Sequence, residues 1–147
     1  MTDPIEKEDH AKANAKSWLE TIVAGMILLS NLSDGSVESG EHDGETFEDE
    51  DSLRERLEEA PLSVQVRASG WFTPGGHDKP EIDEFMVLLS TGGPALRITG
   101  DLGSWNTPDN ARLEYQDWGT PWTEYDASNT ERAQLLAYAN LMYYGEG

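Results

Sequence analysis

Leu62-Ser-Val-Gln-Val-Arg-Ala68 alternates apolar and polar side chains without interruption, which is the period of a half-buried β-strand. Three later stretches, 82–90, 96–99 and 111–116, share this strand-like character. Turn sequences rich in Gly, Pro and Asn separate them, and connections this short favour antiparallel pairing of neighbouring strands. The sequence therefore predicts a four-stranded antiparallel sheet over residues 62–116.

Helical patterns flank the predicted sheet. A long first helix should begin at Asp3-Pro4 and end between Asn31 and Gly35, because apolar residues recur in it at spacings of four, four and three. Those residues are Trp18, Ile22, Met26 and Leu29. A shorter second helix should run from residue 46 or 51 to residue 60, with Leu53 and Leu57 as its buried pair. Ser128 and Glu131 form a capping-box pattern that opens a C-terminal helix. The predicted fold is α+β in the order ααββββα, with the helices on one face of the sheet.

The segment 34–51 is the least regular part of the chain. It is polar, contains glycines and carries many acids, so we predict an acidic, mobile linker between the first two helices. No internal repeat and no second run of strands is present. The whole chain, 1–147, is therefore predicted to be a single domain.

Charge is the strongest compositional signal, with 29 acidic and 10 basic residues and a net charge of −19. Such a surface repels nucleic acid and anionic lipid and attracts basic protein surfaces. The acidity is equally typical of a protein kept soluble by charge or of a halophilic source. The absence of Cys excludes disulfides and Cys-ligated zinc. Residues 1–10 are charged, unlike a signal peptide, and the longest apolar stretch is far shorter than a membrane span. We therefore expect a cytoplasmic protein.

An acidic row lies within the predicted second helix. Its members fall at helical spacings of three, four and three, with one further acid at the end: Glu48, Asp51, Glu55, Glu58 and Glu59. Carboxylates at this spacing share one helix face, about 4.5–6 Å apart along the axis, whereas one DNA strand carries a phosphate every ~3.4 Å. The row is compatible with imitation of a phosphate backbone. It is also compatible with an ordinary solvated helix face.

Motifs for catalysis are missing. His10, His42 and His77 lie far apart in polar contexts, where we expect them to be surface residues, and none has metal-ligand spacing. The Gly-Gly pairs lack the Lys-Ser/Thr of a phosphate loop, and no Gly-x-Ser-x-Gly elbow occurs. The sequence therefore predicts that the protein is not an enzyme and holds no metal or cofactor.

The sheet offers a second candidate surface. If the alternation holds, Arg67, Met86, Leu88 and Arg97 all project from the face away from the helices. An apolar pair beside arginines on an open sheet face is typical of a partner or homodimer surface. The alternative is that a loop covers this face, and the aromatic segment that follows the fourth strand could supply it.

That aromatic segment, residues 117–125, is the most distinctive string in the chain. Trp118 and Trp122 are large apolar residues that need to pack wherever they lie. They could close the core between the last strand and the last helix. They could equally anchor a protein partner, since Trp dominates binding hot spots.

The run from Leu62 to Tyr144 resembles a group of small proteins of bacteriophages and prophages. The matching stretches are LSVQVR (62–67), GWFTPGG (70–76), LLSTGGPA (88–95), LEYQDWGTPWT (113–123) and LLAYA (135–139). The group carries no assigned activity, so the resemblance implies a phage origin and no site residues. Small acidic phage proteins include inhibitors of CRISPR and restriction systems, which is a likeness of class and not of motif.

Together these observations predict a phage anti-defence inhibitor of the anti-CRISPR kind. It would bind a basic surface of a bacterial nucleic-acid-binding complex through the acidic row, with Trp118 and Trp122 as further contacts, and would block access of nucleic acid by imitating it. The alternative is a self-associating structural or accessory phage protein. That protein would form a homodimer through the sheet face that carries Arg67, Met86, Leu88 and Arg97.

Overall fold

A computed structural model describes residues 4–68, 70–76, 81–92 and 94–145, with side chains from residue 10 onward. In these residues the chain forms three α-helices, a five-stranded sheet and a two-stranded sheet. In chain order the elements are α1 (Pro4–Ser33), β1 (Gly40–His42), β2 (Glu45–Phe47), α2 (Glu50–Glu59), β3 (Ser63–Arg67), β4 (Glu84–Ser90), β5 (Ala95–Asp101), β6 (Arg112–Gln116), β7 (Thr123–Glu124) and α3 (Asn129–Ala139). The predicted α+β class is confirmed.

The large sheet has five strands where the sequence predicted four. Its order is β3-β4-β5-β6-β7, and every neighbouring pair is antiparallel. The additional strand, β7, comes from the aromatic segment and pairs Thr123 with Tyr115 and Glu124 with Glu114 of β6. Two residues are too few to show an alternating pattern, which is why this strand was not predicted.

The segment predicted as a linker, 34–51, contains the hairpin of β1 and β2. Asp43 and Gly44 form its turn, with φ of 50° and 84°. Positive φ at both central residues is the requirement of a type I′ turn, which Asp-Gly meets better than most pairs. The element order is therefore αββαβββββα, and it differs from ααββββα at this hairpin and at β7.

The helices carry the features that their sequences predict. In α1 the stripe of Ile22, Met26 and Leu29 is buried, and the helix ends at Ser33, inside the predicted range. It begins at Pro4; Asp3 lies outside the described residues. The predicted capping box of α3 is present, because the Glu131 amide donates to Ser128 Oγ at 3.1 Å and the Ser128 amide donates to the Glu131 carboxylate at 2.9 Å.

The core lies between the helices and one face of the sheet, here called the helix face. Helix α1 packs on β5 and β6, and α3 packs on α1 and β6. Burial alternates along β4, so that Phe85, Val87 and Leu89 are buried while their neighbours are partly exposed. The opposite side of the sheet, here called the outer face, carries no helix in the described part of the chain. Within that same part, no helix combines the length and the hydropathy needed to cross a membrane.

Candidate binding surfaces

Helix α2 begins at a strong cap. Asp49 has extended backbone angles, and its carboxylate accepts a hydrogen bond from the Ser52 amide at 2.8 Å and another from the Ser52 hydroxyl at 2.9 Å. These hydrogen bonds hold the pKa of Asp49 below its usual value, because they favour the charged form. The cap fixes the first turn of a helix that carries most of the acidic row.

Helix α2 is anchored on the body of the protein by its leucine pair, Leu53 and Leu57, which are buried as the sequence predicts. The buried Tyr138 of α3 adds a polar anchor, since its hydroxyl donates to the Leu57 carbonyl at 2.9 Å. On α1, Gly25 permits a close approach: a Cβ at this position would lie 2.8 Å from a Leu57 methyl carbon and 2.8 Å from His42 Cε1. Helix α2 is thus held in place by contacts with α1 and α3.

The hairpin packs against the same region of α1. His42, predicted to be a surface residue, is instead only 8% exposed. It lies against Gly25 because β1 turns one side inward onto α1. Burial lowers the pKa of His42, and the neighbouring Arg56 acts in the same direction, while Asp43 opposes them. His10 is exposed, as predicted, and His77 lies outside the described residues.

The structure places four members of the acidic row on α2 and one before it. Asp51, Glu55, Glu58 and Glu59 are exposed residues of the helix. Glu48 is exposed as well, but the prediction that it belongs to the helix is wrong. Because Asp49 is the N-cap, the helix begins at Glu50 and Glu48 precedes it.

The acidic row is not neutralised by nearby cations. Both arginines of α2 have acidic partners outside the row: Arg54 lies 3.0 Å from Glu50 and Arg56 lies 3.6 Å from Asp43. Among the residues whose side chains are described, no member of the row forms an ion pair. The segment 34–59 holds twelve acids and two arginines, so more than half of the net charge of −19 belongs to it. The row therefore presents several unpaired carboxylates on one ordered helix.

The outer face carries the other predicted residues. The structure places all four there: Arg67, Met86, Leu88 and Arg97. Residues paired across antiparallel strands point to the same side of the sheet, and the register of β3 to β6 puts these four on the side away from the helices. Arg97 is engaged on several sides: Nε donates to the Glu114 carboxylate at 2.9 Å, and Nη1 contacts Met86 Sδ at 3.8 Å. Two of the five N–H donors of Arg97 are thus engaged within the sheet.

Trp122 and Trp118 lie in different environments. The Trp122 ring is partly buried and covers Arg97, with the guanidinium carbon 4.0 Å from the ring centre, which is a cation–π contact. The aromatic segment therefore covers part of the outer face, as one of the two interpretations predicts. Trp118 is 73% exposed, so it does not close the core.

The outer face also contains an open cavity of about 650 Å³. Arg67, Arg97 and Arg112 line it together with Glu84 and Glu114. Arg67 is paired with Glu84 at 2.6 Å, so the positive charge of the cavity is largely balanced. Among the described side chains, clusters of three or more residues able to hold a metal are absent here and elsewhere.

Three exposed aromatic residues were not singled out from the sequence. Trp71 is fully exposed, Phe72 is 59% exposed and Trp105 is 82% exposed. The loops that carry them follow β3 and β5, and these two strands run in the same direction and finish at the same end of the sheet. Trp105 also has a positive φ of 62°, which is unusual for a bulky side chain. The exposure of Trp71 and Phe72 could have been predicted from the sequence, because the pair directly precedes the turn motif Thr-Pro-Gly-Gly and apolar residues beside a turn are poorly placed to be buried.

No protein-family model, curated protein or solved structure matches this chain.

Proposed function

We propose that the protein is a binding protein that occupies a cationic, nucleic-acid-binding surface of another protein and so excludes nucleic acid from it. The observation that carries the proposal is the acidic row. It consists of exposed carboxylates, fixed on α2 or just before it, that lack ion-pair partners among the described side chains. Fixed charges cost less ordering entropy on binding than charges on a mobile tail.

The geometry of α2 supports imitation of a phosphate backbone. From Asp51 to Glu58 the helix rises about 10 Å, so the carboxylates at 51, 55 and 58 form a line along one face. Neighbouring acids are separated by about 4.5–6 Å of rise, somewhat more than the ~3.4 Å between phosphates of one strand. Arginine and lysine side chains are long enough to follow this difference. The row can therefore be read by a surface that evolved to hold phosphates.

The biological class follows from the resemblance to phage and prophage proteins and rests on it. In that class, the partner is a bacterial complex that binds nucleic acid, and the protein is an anti-defence inhibitor of the anti-CRISPR kind. Catalysis forms no part of this proposal, since steric and electrostatic exclusion suffices. Trp118, exposed on the β6–β7 loop, is available as an additional anchor.

The experiment is affinity capture from a bacterial lysate with three baits: the wild-type protein, an Asp51→Lys, Glu55→Lys, Glu58→Lys variant, and a matched control. The control reverses three exposed acids elsewhere, Glu20, Glu81 and Asp126, and so has the same net charge. We expect a nucleic-acid-binding protein to be retained by the wild type and the control, lost by the row variant, and released by duplex DNA or high salt. Equal retention by all three baits would contradict the proposal.

A further inference from the structure

We propose that β3 pairs, through its free edge, with β3 of a second copy of the chain, which gives an antiparallel dimer with one continuous sheet. The inference is independent of the proposed function, because it uses a different part of the surface. It also differs from a dimer formed through the outer face, since the contact is made by the edge of the sheet.

The edge of β3 lacks the usual protection. Within the described ranges of the chain, β3 is the end strand of the five-stranded sheet and β4 is the one strand beside it, so half of its backbone groups point away from the sheet. Natural edge strands are shielded by Lys, by Pro, or by being very short. β7, at the other end of the sheet, has only two residues. β3 has five residues, without Lys or Pro, and its one charged residue, Arg67, is already paired with Glu84.

The helix face of β3 lies beyond the helical layer. Val64 and Val66 stand opposite Val87 and Phe85 of β4, which are 0% and 3% exposed. The two valines are nevertheless 36% and 40% exposed, and the preceding Leu62 is 60% exposed. The helices contact the centre of the sheet, at β5 and β6, and leave this strip of apolar surface uncovered. A sheet extended by another strand would cover it.

The sequence of β3 is self-complementary. With a two-fold axis at Gln65, Val64 of one copy lies opposite Val66 of the other, on the helix face. On the outer face, Gln65 lies opposite Gln65, and Ser63 lies opposite Arg67. This register brings β-branched residues together and places no two like charges opposite each other, as antiparallel pairs require.

A second copy suits this edge better than a face-to-face contact or a basic peptide. Covering the outer face would remove water from the Arg67–Glu84 and Arg97–Glu114 pairs, which costs free energy, whereas edge pairing leaves them in place. The strand itself offers no acid to a basic peptide. Because each copy carries a net charge of −19, the copies repel each other, and salt should strengthen the dimer by screening that repulsion.

The first test uses disulfide formation in a chain that has no cysteine of its own. In the proposed register the two Gln65 Cα atoms lie about 4.5–5.5 Å apart, within the range of a disulfide. Gln65→Cys should therefore form an intermolecular disulfide readily under mild oxidation. Ser63→Cys is the control, because its two copies lie about 13 Å apart. Mixing Ser63→Cys with Arg67→Cys should restore cross-linking.

The second test uses sedimentation velocity over a range of protein concentrations. We expect the wild type to dimerise more tightly as salt rises from about 0.05 to about 0.5 M. Val64→Lys with Val66→Lys should raise the dimer dissociation constant at least about tenfold, as edge lysines oppose strand pairing. Val64→Thr with Val66→Thr keeps β-branching and adds no charge, so it controls for loss of strand structure, and circular dichroism reports the folding of both variants. A wild type that stays monomeric, a dimer unaffected by the lysines, or equal cross-linking of Gln65→Cys and Ser63→Cys would overturn the inference.

Discussion

Reversal of the acidic row should slow association with the captured partner by an amount that follows from its charge. Replacing Asp51, Glu55 and Glu58 by Lys changes the local charge by six units. Helix α2, which carries five acids and two arginines, then passes from −3 to +3. At about 10 Å in water, one pair of unit charges interacts by about 0.4 kcal/mol, so six units against one partner cation amount to about 2.5 kcal/mol before screening.

Screening converts this figure into a salt-dependent rate. The Debye length is about 30 Å at an ionic strength of 0.01 M and about 10 Å at 0.1 M. The interaction energy lost on charge reversal is then about 1.8 kcal/mol at the lower ionic strength and about 0.9 kcal/mol at the higher one. The association rate should fall about 20-fold at the lower ionic strength and about fivefold at the higher one, as stopped-flow fluorescence can measure. The control with Glu20, Glu81 and Asp126 reversed has the same net charge and should fall much less. Equal losses in the two variants would refute the reasoning, because only total charge would then matter.

Three further predictions concern the parts that hold the surfaces in place. Tyr138→Phe should lower the free energy of unfolding by about 1 kcal/mol in urea titrations, because the Leu57 carbonyl loses a buried donor. Burial lowers the pKa of His42 in the folded protein, so the free energy of unfolding should be highest above the pKa of the unfolded chain, near 6.5, and should decline as the pH falls below it. His42→Gln should remove this pH dependence between about pH 7.5 and 5.5. Gly100→Ala should lower the free energy of unfolding by at least about 2 kcal/mol in the same titration, since its Cβ would collide with the Asn110 carbonyl oxygen.

Much of the fold is readable from local patterns. The strand at β3, the buried stripe of α1 and the capping box at Ser128 each follow from one stretch of sequence, and the structure has all three. The prediction that β3 is half-buried is wrong: Val64 and Val66 are 36% and 40% exposed, because the helices pack on β5 and β6 and not on this end strand. The α+β class follows from their order. The outer-face placement of Met86 and Leu88 was likewise set by the period of a strand, since β4 is apolar on both faces but only one face can meet the helices.

The remaining features depend on contacts between distant segments. His42 is buried because the three-residue strand β1 packs against Gly25 of α1, and the sequence around His42 contains no local pattern that predicts this contact. The hairpin could have been predicted from Asp43-Gly44, but the many acids around it pointed to a linker. The stacking of Trp122 on Arg97 joins residues far apart in sequence. The exposure of Trp71 and Phe72 also depends on tertiary packing, because it is set by which surfaces the helices leave uncovered.

Competition with nucleic acid tests the central claim most directly. Fluorescent duplex DNA bound to the captured partner should be displaced by the wild-type protein, and the displacement should weaken as salt rises. The Asp51→Lys, Glu55→Lys, Glu58→Lys variant should leave the DNA bound at protein concentrations where the matched control releases it. A ternary complex of DNA, partner and wild-type protein, or equal displacement by the row variant and the control, would contradict the claim that these carboxylates take the place of phosphates.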